Sequence, residues 1–225
     1  MKALLIPVKD LNQAKRRLAS LLSHVERTAL AQAMMEDVFS AVSVTRLPDQ
    51  VFVVSSYEPA LEKAHDLGWE IIRESRQISE SESVDFASRV CAERGVTSLL
   101  RLPIDVPLVR SEDIDALLER AQDTPSAVIV PSRTGGTNAL LRTPPVLFPS
   151  HFGPDSLAKH IGEAQSRKAL CEIVRSERLE LDIDDAEDLA RLVARRPFNG
   201  ATERWLAQSG YGPEWMPGGK YTSFR

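Results

Sequence analysis

The chain reads as one α/β domain built on a mostly parallel sheet with helices on its faces. Three observations predict this: short apolar runs, helical patterns between them, and a length of 225 residues with 43% hydrophobic and 27% charged composition. The first run, Ala3 to Val8, is a buried strand. Residues 25 to 44 place Leu30, Met34, Val38 and Val42 at helical spacing and form a long amphipathic helix. Val51 to Ser55 is the second strand. A short helix over Pro59 to Leu67 and a third strand over Trp69 to Ile72 follow. Val84 to Arg94 is helical, and Ser98 to Leu102 is a buried strand that stops at Pro103. The first half is thus β-α-β-α-β-α-β, the order that a parallel sheet requires.

The second half is less regular and adds antiparallel pieces. Ser111 is the expected N-cap of a helix running to about Gln122. Ala127 to Val130 and Ala139 to Arg142 are strands around a Gly-rich loop. Ser156 to Gln165 is a helix. Leu179 to Ile183 alternates like a strand, and Asp185 caps a helix over Ala186 to Arg195. A last helix covers Ala201 to Gln208. The domain is expected to span residues 1–210, with 211–225 as an extended arm or disordered tail.

Bulk properties exclude several classes. The net charge of -4 gives no reason to expect a nucleic-acid or membrane partner. No stretch approaches the apolar length of a membrane span, and the start lacks a signal-peptide core, so a cytoplasmic protein is expected. Cys91 and Cys171 are far apart, which argues against a disulfide framework. His24, His65, His151 and His160 make no zinc-binding spacing, so they are expected to be satisfied internally or exposed.

Five segments could carry chemistry. In LRLPIDVPLV, Asp105 lies just beyond a buried strand, at the sheet edge where open α/β folds gather ligands. A carboxylate there suits a hard cation; a turn aspartate capping local amides is the plainer alternative. In LELDIDD, strand periodicity puts Asp182 and Asp184 on one face, where a cation would relieve their repulsion. In PSRTGGTNALL, Gly135 and Gly136 let the backbone approach an anion, with Thr137 and Asn138 beside them; a simple hairpin turn explains the glycines equally. In HFGPDSLAKH, Gly153 and Ser156 open a helix whose N-terminus suits a phosphate or carboxylate, unless Asp155 or Ser156 merely caps it. Residues 2–17 hold Lys2, Lys9, Lys15, Arg16 and Arg17 against Asp10, a basic segment that suits a polyphosphate or, more plainly, a solvated face.

Taken in order, PVK, AKRRLA, LPIDVPL, GGTNAL, FGPDS and DID resemble the guanylyltransferases of coenzyme F-420 biosynthesis over about residues 1–210. The resemblance implies a glycosyltransferase-A-like, Rossmann-related fold. It implies transfer of GMP from GTP to a phosphorylated three-carbon acid, with release of pyrophosphate. Phosphoenolpyruvate is the favoured acid, with 2-phospho-L-lactate and 3-phosphoglycerate as alternatives. By motif position, Asp105, Asp182 and Asp184 would ligate Mg²⁺, or Mn²⁺ in its place. Thr137, Gly153 and Ser156 would contact the acid, with Asn138 beside them. Lys9, Lys15 and Arg17 would face the nucleotide phosphates. A homodimer and hand-off of the product to a downstream transferase are also implied.

One segment departs from the family pattern. Residues 79–88 read SESESVDFAS where relatives carry a Gly-Leu-Asn-like stretch, so Glu82, Ser83 and Asp85 are the candidates for the guanine edge. Two rival readings remain: a nucleotidyltransferase with another base or a sugar or alditol phosphate acceptor, and a non-catalytic nucleotide-binding protein.

Overall fold

The structure is a computed structural model that describes residues 1–76 and 78–212. Strands β1 (Lys2–Val8), β2 (Gln50–Ser55), β3 (Glu70–Arg73), β4 (Ser98–Arg101), β5 (Ser126–Pro131), β6 (Thr137–Thr143) and β7 (Leu170–Ile173) form one sheet in the order β3-β2-β1-β4-β6-β5-β7. β1, β2, β3 and β4 are mutually parallel, and β5 is parallel to β7. β6 pairs antiparallel with both β4 and β5, so among the described strands it alone runs against the others. The expected mixed, mostly parallel sheet is therefore present.

Among the described residues the α-helices are α1 (His24–Ser43), α2 (Glu58–Asp66), α3 (Glu80–Glu93), α4 (Ser111–Leu118), α5 (Ser156–Ser166), α6 (Ala186–Val193) and α7 (Ala201–Gln208). Alternation along β1 explains how they cover the sheet. Leu4, Ile6 and Val8 pack with Val38 and Phe39 of α1, Leu61 of α2 and Ile114 of α4. Ala3 and Leu5 face the other way, onto Val84, Ala87 and Cys91 of α3. Both sets are fully or nearly fully buried, so truncating Leu5 to Ala would cost about 2–5 kcal/mol.

Helix ends follow local chemistry. Ser23 and Glu26 form a reciprocal capping box that starts α1. Asp185 caps α6 as the sequence predicts, accepting from the amides of Glu187 and Asp188. α4 differs: Arg110, not Ser111, is its cap residue, and the helix ends at Leu118 rather than near Gln122. The cause is Asp113, whose carboxylate accepts from the Arg110 amide at 3.0 Å and moves the box one residue earlier. α7 is capped from a distance by Asp37 of α1, which accepts from the amides of Ala201 and Thr202. That contact requires Gly200, where a Cβ would meet Asp37 Oδ1 at 2.3 Å.

One further expectation fails. Leu179 to Ile183 is not a strand. Its alternation is real: Leu179, Leu181 and Ile183 are buried and the residues between them are not. Its backbone partners, however, are a side chain and a loop. Leu179 O accepts from Asn138 Nδ2, and the Ile183 amide donates to Asp105 O at 3.0 Å. The strand that joins the sheet is instead β7, an exposed four-residue edge strand whose LCEI sequence carries no alternation signal. Of the tail expected from residue 211, only Tyr211 and Gly212 fall within the described residues.

Candidate active site

Every candidate segment lies where the parallel strands end. β1 runs into Lys9, β4 into Asp105, and β5 turns through Ser132–Gly136 into β6. A cleft of about 620 Å³ opens there, lined by Lys9, Lys15, Arg16, Arg17, Arg101 and Asp105 among others. The basic segment 9–17 is not a helix face. It forms two short 3₁₀ turns, Leu11–Gln13 and Arg16–Leu18, joined through Lys15 in the left-handed conformation (φ 52°). This bend lets Lys15 point inward while Arg16 and Arg17 stay exposed at the cleft wall.

Lys15 is the centre of the arrangement. Its ammonium donates to Asp105 Oδ2 at 2.8 Å and to Asp184 Oδ1 at 3.0 Å. Burial disfavours its charge, but the two carboxylates outweigh that and hold its pKa above the ordinary lysine value. Burial likewise works against the Asp105 charge, and Lys15, then Arg101, more than reverse it, so Asp105 stays ionised.

Asp182 is placed differently. Its carboxylate accepts from Asn138 Nδ2 at 3.1 Å, and Lys15 does not reach it. Burial, then the nearby Asp105 charge, push its pKa up to about 6. Thus Asp105, Asp182 and Asp184 neighbour one another electrostatically, yet only Asp105 and Asp184 share a cation. Among the described residues no group of three or more His, Cys, Asp or Glu side chains converges as a ready metal cage. The set is nevertheless all hard carboxylate oxygen, and two members already hold one cationic group in common, which is the donor chemistry Mg²⁺ takes.

Beyond the aspartates lies a second, closed corner. The Gly135–Gly136 turn is indeed a hairpin, joining β5 to β6, with Ser132 Oγ accepting from the Gly136 amide at 2.8 Å. Gly136 lies against α5: a Cβ there would meet Ser132 Oγ at 2.7 Å and stand 3.8 Å from Ser156 Oγ. The α5 N-terminus is not capped by Asp155, which adopts φ 58° and makes no side-chain cap. Instead the Ser156 amide donates to Gly153 O and the Leu157 amide to Gly135 O, each at 3.2 Å. The Leu157 amide ties the hairpin to the helix, and the Ser156 amide closes the local turn at Gly153. The polar group left over is the Ser156 hydroxyl, fully buried and without a partner among the described residues. Thr137, which follows Gly136 in the hairpin, is also buried, and Gly153 (φ 112°) is exposed. Asn138, expected to touch substrate, spends its amide hydrogens on Leu179 O and Asp182, so it positions the aspartate segment.

Arg101 joins the two halves and was missed by the sequence reading, where it looks like one charge inside an apolar strand. Its guanidinium donates to Asn138 O at 2.8 Å, pairs with Glu80 and lies 4.2 Å from the Phe152 ring centroid. Burial pulls its pKa down to about 10, opposed by Asp105 and Asp182. The candidates for a base edge divide along α3. Ser83 lines the cleft, together with Glu80, but Glu82 does not. Asp85 is turned away, accepting from the Ser150 amide at 2.9 Å and facing Arg142. Helical spacing explains this, since positions 80 and 83 share a face that 82 and 85 leave.

A family model described as "Guanylyl transferase CofC like" matches residues 1–204. The chain belongs to this CofC-like guanylyl transferase family. It is 38% identical over 190 residues to a phosphoenolpyruvate guanylyltransferase of Rubrobacter xylanophilus, covering 84% of this chain and 92% of that one. It is 35% identical over 189 residues to a 2-phospho-L-lactate guanylyltransferase of Methanothermobacter thermautotrophicus, covering 84% and 82%. Among solved structures it resembles a putative nucleotide-diphospho-sugar transferase from Desulfovibrio desulfuricans G20, with a TM-score of 0.78 at 15% identity over 93% and 95% of the two chains. That likeness establishes the nucleotidyltransferase-type fold implied by the sequence motifs.

Proposed function

We propose that this CofC-like chain transfers GMP from GTP to a phosphorylated three-carbon acid, phosphoenolpyruvate being favoured, and releases pyrophosphate, as a step of coenzyme F-420 biosynthesis. The observation that carries the reading is Lys15, a cation held by Asp105 and Asp184 in a basic cleft whose Arg101 also holds the Thr137–Asn138 backbone. The cleft suits a triphosphate, and the hairpin and α5 start, with the unpartnered Ser156 hydroxyl, suit a small anion.

The reaction joins a phosphate oxygen of the acid to the α-phosphorus of GTP and breaks the bond from that phosphorus to the leaving pyrophosphate. A phosphomonoester is largely dianionic near neutrality, its second pKa being about 6, so no general base is needed. What must be supplied is neutralisation of two phosphates that repel each other. Lys9 and Arg17 would face the pyrophosphate, and Lys15 would bridge to the α-phosphate. Mg²⁺ held by Asp105 and Asp184, with Asp182 beside them, would add charge neutralisation at the phosphates when bound. Thr137 and Ser156 would hold the acid, with the Gly153 backbone at the rim. A homodimer, a cytoplasmic location and hand-off of the product to a downstream transferase belong to the same reading.

The test is pyrophosphate release with each of GTP, ATP, CTP and UTP, against phosphoenolpyruvate, 2-phospho-L-lactate, 3-phosphoglycerate and a sugar phosphate. The downstream transferase is included to trap a labile product. Release is expected only with GTP and a three-carbon acid. Asp105→Asn is expected to lower turnover at least about 10³-fold, the scale of losing a main electrostatic group, while keeping its folded spectrum. Equal turnover with a sugar phosphate, or full activity of Asp105→Asn under saturating Mg²⁺, would sink the reading. Nucleotide binding without pyrophosphate release would favour a non-catalytic protein.

A further inference from the structure

We infer that His160 is a positioning residue that fixes which way the Thr137 hydroxyl points, presenting its hydrogen to an anionic oxygen of the acid acceptor. This inference rests on the acceptor role proposed for the closed corner.

The argument is one of proton counting. His160 is completely buried on α5, among Phe148, Phe152 and His151. Its Nε2 lies 2.9 Å from the backbone nitrogen of His151. A backbone amide can only donate, so Nε2 carries no hydrogen. A cationic ring would need hydrogens on both nitrogens and is excluded by the same contact. Its setting agrees: burial, then Arg142 and His151, pull the His160 pKa down to about 3. The ring hydrogen is therefore on Nδ1, which lies 3.0 Å from Thr137 Oγ1. Nδ1–H donates, so Thr137 accepts.

A hydroxyl has one hydrogen to give. With the ring as its donor, Thr137 cannot turn that hydrogen back toward His160. The hydrogen remains for another acceptor; the preceding residue, Gly136, would place a Cβ 3.8 Å from the unpartnered Ser156 Oγ. Thr137 and Ser156 thus each keep a hydroxyl hydrogen to donate, and the Arg101 guanidinium holds the Thr137–Asn138 backbone. That set suits a carboxylate or phosphate oxygen. A free hydroxyl rotor would instead spend part of its time pointing at the ring.

The test has two arms. In the ligand-free protein, ¹⁵N NMR of the histidine rings is expected to show His160 with a protonated Nδ1 and a bare Nε2 at neutral pH. In steady-state kinetics with GTP and phosphoenolpyruvate, His160→Leu and Thr137→Val are each expected to raise the KM for the acid about 10-fold, the scale of one hydrogen bond to a charged group. The KM for GTP should stay within about 2-fold, as no nucleotide contact is removed. His160→Asn, whose amide can still donate to Thr137, should recover most of the loss. The double variant should be no worse than Thr137→Val alone, because His160 acts through that hydroxyl. An Nε2-protonated or cationic ring, or losses that multiply in the double variant, would overturn the inference. If the wild-type chain turns over no three-carbon acid, the acceptor role itself fails, and the NMR arm still decides whether the hydroxyl is oriented as described.

Discussion

The two sides of Asp105 are built on opposite plans. On the nucleotide side, Lys9, Arg16 and Arg17 are long, exposed and few of their groups are fixed by the protein. On the acceptor side, Thr137, Ser156 and His160 are short or rigid, buried, and held by a tied hairpin and helix. A flexible polyphosphate with many charges can be held by mobile cations that each contribute a little. A small acid has few atoms, so its recognition needs donors whose direction is set in advance. Lys15 stands between the plans: a long basic side chain, but 9% exposed and pinned by two carboxylates.

That contrast can be broken first at Lys15. Lys15→Met leaves Asp105 and Asp184 without their shared cation. In metal-free buffer it is expected to lower unfolding free energy by about 2 kcal/mol, less than the loss for a fully buried ion pair because the Asp105 and Asp184 side chains are 25% and 45% exposed. Millimolar Mg²⁺ should restore more stability to this variant than it adds to the wild type. Chemical denaturation with and without Mg²⁺ measures both. A loss that Mg²⁺ leaves untouched would separate the two aspartates from any metal.

A smaller effect distinguishes the closed corner. His160 is neutral when folded, with a pKa of about 3 against an ordinary 6.5. Between those values the unfolded chain binds a proton that the folded chain does not, so stability is full above pH 6.5 and falls as pH drops toward 3. The slope from this group is at most about 1.4 kcal/mol per pH unit. The charged side chains that face the ring, Arg142, Arg101 and Lys159, are cationic throughout this range and act in the same direction as burial. Urea denaturation at pH 7 and pH 5 should show the wild type losing more stability on acidification than His160→Asn, a difference that cancels the opposite contribution of Asp182, whose pKa is pushed up to about 6. An unchanged slope would mean the ring is not held neutral.

The smallest effect is expected at the open end of the cleft. Glu82→Gln should change the preference for GTP over ATP by less than about 2-fold, since Glu82 leaves the lining face of α3. Glu80→Gln should change it more, because Glu80 lines the cleft and pairs with Arg101. Competition assays with the two nucleotides read this directly.

Much of the molecule was legible as pattern. Period-two and helical spacing are local properties, so the order of elements in the first half, the α1 and α6 caps and the position of Asp105 beyond β4 follow from neighbouring residues alone. Family motifs then pointed to the same edge. Errors came where a local pattern had no local partner. Residues 179–183 alternate because one side is buried, and that occurs in an extended loop as readily as in a strand. β7 is legible only once β5 is known to lie beside it.

What tertiary structure decided is the wiring between distant segments. Insertion of β6 between β4 and β5 brings Asn138 to Asp182, 44 residues away, and Arg101 to Asn138, 37 away. Lys15 meets Asp184 across 169 residues. The sequence alone determined that three aspartates, a basic loop and two glycine-bearing turns would crowd one sheet edge, because strand ends and turns are written locally. Which carboxylate takes the lysine, and which way one hydroxyl hydrogen points, depend on directional contacts across the fold that no neighbouring residue specifies.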